Sequence, residues 1–472
     1  MLVYYLILSF LIGAITLLNR NRTISIILLA LFLTLQTGLT VYGYLHLSQE
    51  DSGYFTFDAT GIIFLCVLTI LSYTTIWHSY KYLQYRKDDE RIQSMYFAAL
   101  IGLILSMSCA YLASHIAVMW AFIEATTLCV AVLIYHERTN LALEATWKYI
   151  FICSVGIAMA FVGIIFLSKA IQEAGSVNLS FSAISHNIKY VNVFWLKYAF
   201  LFMVVGFSTK MGLFPMHTIC VDAHTVAPPP ISAFISTTLM NVGFVAIFRT
   251  YSLMAHTAIQ PWMNQILLWS GLLSIFISAV YLLKVNHFKR MNAYSSLEHM
   301  GLAAIGLACG GIGYFAAIFH LILHSFVKAS AFYQIDQVHR TYHTYIISKT
   351  GNYFNKNITG ALVMLLVFIS ITAFPPSGMF ITEIWIFKSL FASSNFLVLI
   401  LVLLFLAMII YSLGRNFFGL LFNQVKDTPE IKVKIHPSET ISQYVLLLLV
   451  IYLGLNPPEE MIRLIQEAVK NL

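Results

Sequence analysis

Charge is what this sequence has least of. Only 10% of its 472 residues are Asp, Glu, Lys or Arg, and 59% are hydrophobic, whereas a soluble domain carries about 25% charged residues. That shortage excludes an ordinary water-soluble fold. Apolar runs of about twenty residues recur along the chain, which places it among proteins that cross a bilayer many times. Cysteine is scarce too: Cys66, Cys109, Cys129, Cys153, Cys220 and Cys309 form no CxxC pair and mostly sit in apolar runs. This excludes a disulfide framework, a zinc site and an iron–sulfur site, and the thiols read as buried and inert. No low-complexity linker divides the chain, so one integral domain is expected. The net charge of +7 is scattered over short connections rather than gathered into a patch, so nucleic acid is not an expected partner and the lipid bilayer is. The start, MLVYYLILSFLIGAITLLNRNR, lacks a basic leader region and a small-residue cleavage site, and it reads as a first membrane helix rather than a removed signal.

The fold class expected is an all-α polytopic membrane protein with about fourteen spans. They fall near residues 2–18, 23–47, 59–84, 93–113, 115–135, 143–168, 193–216, 230–253, 262–283, 293–311, 314–336, 358–388, 395–422 and 440–455. Alternate connections then hold Arg20 and Arg22; Lys81, Arg86, Lys87 and Arg91; Arg138; Lys284, Lys289 and Arg290; Arg340, Lys349 and Lys356; and Arg415, Lys426, Lys432 and Lys434. These are seventeen of the 27 basic residues. The opposite side has Lys169, Lys189, Arg249, Arg463 and Lys470. By the positive-inside rule the rich side is cytoplasmic, and both termini face outward. The last stretch, PPEEMIRLIQEAVKNL, aligns Met461, Ile465, Ala468 and Leu472 on one helical face, as a short interfacial helix would.

A charge at membrane depth costs about 3 kcal/mol on insertion scales. Glu124, Lys148, Lys210, Lys328 and Glu383 nonetheless fall inside predicted spans. Lys148, near a span end, can snorkel to the interface; Glu124 and Lys328 have apolar residues for two turns or more on either side. In FHLILHSFVKAS, His320, His324 and Lys328 stand four apart, so each step turns the helix by only about 40° and climbs about 6 Å. That is a ladder of proton-exchanging groups about 12 Å long. Histidine titrates near neutral pH, and a lysine whose carboxylate partner comes and goes can take up and release a proton there. Prolines interrupt two spans: Pro215 follows Lys210 by five residues, and Pro375–Pro376 precede Glu383 by seven. Broken helices at membrane depth line wet or protein-walled cavities, and paired breaks point to inverted-repeat transporters. Spans 4–8 and 9–13 would be two such five-helix repeats, with helices 7 and 12 broken. The expected divisions are 1–92 (spans 1–3), 93–254 (first repeat), 255–422 (second repeat) and 423–472 (last span and interfacial helix).

Taken together and in order, FIEATTL, LEATWKYIFICSVG, STKMGLFPMHTICVDAHTVAPPPISA, FKRMNAYSSLEHMG, FHLILHSFVKASAF and FPPSGMFITE resemble the antiporter-like proton-pumping subunits shared by respiratory complex I, Mrp-type cation/proton antiporters and group 4 hydrogenases. The similarity runs from about residue 58 to 422, and YSSLEHMG and the modest length are most similar to hydrogenase-4 component F. The resemblance implies a proton pathway of Glu124, Lys148, Lys210, His320, His324, Lys328 and Glu383. In it Glu124 and Lys210 form a switching pair with Lys148 beside them, and Glu383 is the outward handover site. A secondary polar axis of His217, Asp222, His224, Asn241, Glu298, His299 and Asp336 is expected beside it, with Asn241 and Asp336 departing from the family's pattern. Asn241 falls where many pumping members have a lysine, and asparagine holds water but cannot titrate. Asp336 and His339 read equally as an acid–base cluster and as a polar helix end. No redox motif, cofactor or metal site is expected in this chain, so partner membrane and redox subunits would handle electrons in an energy-transducing inner membrane. Three readings stay open: a proton-translocating subunit of a redox complex, an Mrp-like antiporter subunit, and the ion-conducting partner in two-component inorganic-carbon uptake. A scaffold that kept the fold without conduction is a fourth.

Overall fold

A backbone in hydrocarbon has no water to bond to, and an α-helix satisfies its N–H and C=O groups within one segment. The computed structural model, which describes residues 1–86, 88–424, 435–470 and 472, is accordingly almost all helix. Lys87, Lys426, Lys432 and Lys434, four of the basic residues used above for orientation, lie outside the described residues. Helices α1 (Leu2–Leu18) and α2 (Arg22–Leu45) lead into a small antiparallel hairpin, β1 (Glu50–Asp51) and β2 (Phe55–Thr56), with Glu50 opposite Thr56. Then come α3 (Ala59–Arg86), α4 (Glu90–Leu112), α5 (Ile116–Ile134), α6 (Asn140–Glu173), a short α7 (Phe181–Asn187), α8 (Val193–Met211) and α9 (Thr218–Val226). Helix α10 (Pro229–Phe234) passes through a π-helical turn (Ile235–Leu239) into α11 (Met240–Met254). The chain continues with α12 (Gln260–Leu282), α13 (Phe288–Cys309), α14 (Ile312–Tyr342), one-turn α15 (Tyr353–Lys356), α16 (Ile358–Ile371) and α17 (Gly378–Ala392). It ends with α18 (Phe396–Phe422), α19 (Pro437–Leu455) and α20 (Glu459–Val469).

Among the described residues, eleven helical segments are long and apolar enough to cross a membrane. Adding short apolar α1, the more polar α13 and the interrupted α16–α17 pair gives one helical segment for each span expected from the sequence. Both expected interruptions are present. Helix α8 ends at Gly212, whose φ of +77° suits glycine and stops the helix before Pro215, and the chain resumes at Thr218. Helix α16 ends at Thr372, with Ala373 at φ +49°, and α17 begins after Pro375–Pro376 with Ser377 accepting from the Met379 amide.

Two compact units are distinguished: Met1–Pro228 with Thr238–Met263 and Arg463–Leu472, and Pro229–Thr237 with Asn264–Ile462. In the first, α6 and α8 pack most intimately, through small residues. A methyl group on Gly206 would stand 2.5 Å from the Ala160 nitrogen and from the Gly156 oxygen, so the backbones touch with no side chain between. Such small-residue stripes are how helices approach closely in a bilayer. Arg249 clamps the far end of α4: its guanidinium donates to the carbonyls of Ala110 (3.3 Å), Tyr111 (2.5 Å) and Ala113 (3.0 Å) and to Asp58 Oδ1 (2.6 Å). It thereby satisfies carbonyls that a helix end leaves orphaned. Beside it lies a polar cavity of about 1060 Å³, bordered by Glu50, Asp58, His115 and Arg249. Ala468 and Leu472 also border this cavity, and Ile465 is fully buried. The apolar side of α20 therefore turns into protein, where a helix lying flat on the membrane had been expected.

In the second unit α14 is the central element, packed on α10, α13, α16, α17 and α19 and buried along nearly its whole length. The lipid-facing residues are elsewhere: α18 exposes Leu397, Ile400, Leu403 and Leu404. The helix that carries His320, His324, Lys328 and Asp336 is thus enclosed by protein, as the cost of exposed charge requires. Replacing Gly206 with alanine is expected to force α6 and α8 apart and cost about 1–3 kcal/mol. This is checked as a lowered thermal unfolding midpoint in detergent, with Gly38→Ala, where no atom lies within 4 Å, as the neutral control.

Candidate functional site

The polar residues assemble into one cluster in each unit. In the first, Lys210 sits one turn past Gly206, so the close α6–α8 crossing brings its side chain against α5 and α6. It is buried, and its ammonium donates to Thr127 Oγ1 (2.8 Å) and Tyr149 OH (3.3 Å). Thr127 in turn donates to Glu124 Oε2 at 3.2 Å, and Ser154 of α6 donates to Glu124 Oε1 at 3.3 Å. One hydroxyl therefore stands between the acid and the base. Thr127 was not singled out from sequence, although it lies three residues after Glu124 and so on the same helical face.

Lys148 does not join this cluster. It is half exposed on the outer side of α6 and pairs with Glu144, one turn back, at 2.5 Å. The reason is angular: Tyr149, the next residue, takes the inward position on α6, and Lys148 is turned by about 100° from it. Asp222 of α9 lies within electrostatic range of Lys148. His224 is buried in the same short helix, and His217 precedes it with its ring 6.2 Å from that of Phe214. Asn241 is fully buried at the start of α11, directly after the π-helical turn, a feature frequent at functional sites.

The second unit holds the longer cluster. Lys328 is fully buried and donates to the Asn292 carbonyl (3.1 Å) and Ser295 Oγ (2.8 Å) of α13. Glu298, one turn further along α13, is buried within electrostatic range of both Lys328 and Glu383. The ring of His299 lies 5.1 Å from those of both His320 and His324, so the α14 ladder meets a histidine from α13. His299 Nδ1 is 3.2 Å from His320 Nε2 and 4.0 Å from Glu383 Oε1. The hydroxyl of Thr382 donates to the Met379 carbonyl (2.9 Å), which leaves it to accept from His320 Nδ1 at 2.9 Å. His320 Nε2 is then the acceptor of a neutral ring, and His299 Nδ1 donates to it. The contacts have a direction, from α13 through α14 to α17, where Glu383 is buried but for a narrow exposed edge.

His299, His320 and Glu383 also bring three ligand atoms within 4.8 Å of one another, the one such group among the described residues. Two imidazoles and a carboxylate are a transition-metal donor set. The His299–His320 hydrogen bond and the Thr382 contact already account for the geometry without one. Asp336 pairs with Arg340 at 3.1 Å, and Arg340 with Glu439 of α19, while His339 stacks on Tyr345 at 4.1 Å. Asp336 and His339, read from sequence as an acid–base cluster or a polar helix end, thus have Arg340 and Tyr345 as neighbours. Thr127, Tyr149, Ser154, Asn292, Ser295, Thr382, Arg340 and Glu439 are the site neighbours that the spacing of charges alone did not reveal.

A cluster of buried proton-exchanging groups inside a bundle of membrane-length helices defines the class: a polytopic ion-translocating protein. The family model described as NADH:quinone oxidoreductase/Mrp antiporter, transmembrane, matches residues 113–409, and the chain belongs to that family. A hydrogenase-4 component F homolog of Methylacidiphilum infernorum (isolate V4) is 30% identical over 379 residues, covering 77% of this chain and 79% of the relative. NADH-quinone oxidoreductase subunit N of Coxiella burnetii (strain RSA 493 / Nine Mile phase I) is 26% identical over 380 residues, covering 79% and 78%. Among solved structures, a chain of the membrane-bound sulfane sulfur reductase, an archaeal respiratory membrane complex, superposes with a TM-score of 0.87 over 100% of this chain and 97% of its own. At 18% identity that likeness shows the fold alone. The protein is an antiporter-like, multi-pass membrane subunit of this family.

Thr127→Val keeps the size of the side chain and removes the hydroxyl between Lys210 and Glu124. A hydrogen bond to a charged group is worth about 1.5–3 kcal/mol, and each 1.36 kcal/mol of barrier is tenfold in rate. Thr127→Val is expected to slow proton flux in reconstituted vesicles about tenfold or more, and Thr127→Ser to restore most of it.

Proposed function

We propose that the chain moves protons across an energy-transducing membrane as one subunit of a redox-driven complex. The observation that carries this is the buried polar run across α13, α14 and α17: Lys328 bonded to Ser295, Glu298 within electrostatic range of Lys328 and Glu383, and His299 bonded to His320, which bonds Thr382 beside Glu383. Each member either titrates or holds one that does, and the histidines are close enough for direct transfer. A core that served only packing would fill these positions with leucine, at no desolvation cost.

In this reading a proton enters near the α8–α9 interruption, is held on Lys210 or Lys328, and leaves by Glu383. Glu124 acts on Lys210 through Thr127, holding the ammonium when Glu124 is ionised and releasing it when Glu124 is neutral. Spans 4–8 and 9–13 act as paired repeats, in which Glu124 and Glu298 fall on the second helix and Lys210 and Glu383 beside the break. The basic connections lie on the cytoplasmic side and both termini on the other. The names of the relatives, a hydrogenase-4 component and a quinone oxidoreductase subunit, support partner membrane and redox subunits as the source of driving energy.

Lys328→Ala and Glu383→Gln are each expected to abolish proton flux, with assembly and folding intact by size-exclusion chromatography. The check is dye quenching in vesicles carrying the reconstituted complex under an imposed potassium diffusion potential. Wild-type flux in both variants would overturn the reading.

A further inference from the structure

The polar chain of the second unit does not stop at Lys328. It continues along α13 and α14 away from Glu383. Asn292, whose carbonyl receives Lys328, keeps a fully buried side-chain oxygen that meets no protein donor among the described residues. One turn earlier on α13, Lys289 is buried and within electrostatic range of Asp336. Asp336 lies eight residues past Lys328 on α14, about 12 Å along the axis, paired with Arg340 and, through it, with Glu439. Next to this triad, Gln337 approaches Thr440 at 3.5 Å, and the amides of Gln337 and Gln443 also have buried oxygens without a protein partner. Buried polar atoms of this kind are satisfied by ordered water. An ion triad whose only task was to tie α14 to α19 would not need a buried lysine and a buried amide on α13 leading from it toward Lys328.

We propose that this unit has its own entrance from the basic, cytoplasmic side, with Asp336 as the receiving group. The proposal rests on the proton-translocation reading above and makes Asp336 the way in to Lys328, with the α8–α9 interruption serving Lys210 alone. The Asp336 carboxylate takes a proton from inner-side water. Its O–H bond breaks as water beside Asn292 passes a proton to the neutral Lys328 amine, an N–H bond forms there, and the carboxylate returns to Arg340. Lys328 releases its proton in turn to the Glu298–histidine chain. Such an entrance also gives Asn241 a physical account: a chain that loads Lys328 from within the same unit does not need a titratable residue at that position.

The test measures flux into vesicles whose basic loops face outward, under an imposed potassium diffusion potential, with the complex assembled. Asp336→Asn is expected to cut flux at least tenfold and Asp336→Glu to restore at least half. Asn292→Leu, which leaves the ion triad untouched, is expected to cut it as well. Wild-type flux in Asp336→Asn or Asn292→Leu overturns the entrance, as does Asp336→Glu failing to rescue, which is the behaviour of a purely structural ion pair. Lys328→Ala in the same vesicles separates the two ideas. If it abolishes flux while Asp336→Asn does not, the entrance fails and the translocation reading survives; if Lys328→Ala also leaves flux intact, the translocation reading itself fails.

Discussion

Lys328 held by two oxygens of α13 is the contact on which the rest of the second unit depends. An ammonium with no water around it is tolerable only where fixed dipoles and a nearby carboxylate replace hydration. Supplying them requires α13 to carry Asn292, Ser295 and Glu298 on one face, which makes it too polar to face lipid. That in turn requires α14 to be enclosed by α10, α13, α16, α17 and α19, while the most apolar helices take the lipid side.

The first unit meets the same constraint with fewer groups. There the close α6–α8 crossing takes the place of a long polar ladder, and Lys210 reaches Thr127 and Tyr149 only because glycine leaves no side chain in the gap. A hydroxyl between acid and base is a softer connection than a direct ion pair. It accepts from the Lys210 ammonium and donates to the Glu124 carboxylate. The second unit has a longer run with an internal direction, since the Thr382 hydroxyl is committed to a backbone carbonyl and orients His320.

Much of the fold was legible in the sequence because hydrocarbon leaves the backbone few choices: a run of apolar residues becomes a helix, and Gly212–Pro215 and Pro375–Pro376 interrupt it. The inward histidines and Lys328 were legible from four-residue spacing, and the family from the ordered motifs. Three things were not. The direction in which Lys148 points depends on Tyr149 occupying the inner position, which is a matter of packing rather than of spacing. Thr127, Ser295 and Thr382 are uncharged and common in membrane helices, so only their placement next to a charge marks them. Arg340, one turn after Asp336, also binds Glu439 about a hundred residues further along the chain, and no local pattern announces a contact of that range. The inward turn of α20 was missed for the same reason, since an amphipathic stripe fits a protein surface as well as a lipid one.

The most direct measurement is the protonation of Glu383 itself, by infrared difference spectroscopy of the assembled complex in lipid while a proton gradient is imposed and collapsed. The account predicts a protonated-carboxyl band that rises and falls with the gradient and is missing from Glu383→Gln. A carboxyl region that is the same in both states, with the wild-type and Glu383→Gln spectra superimposable, would contradict it.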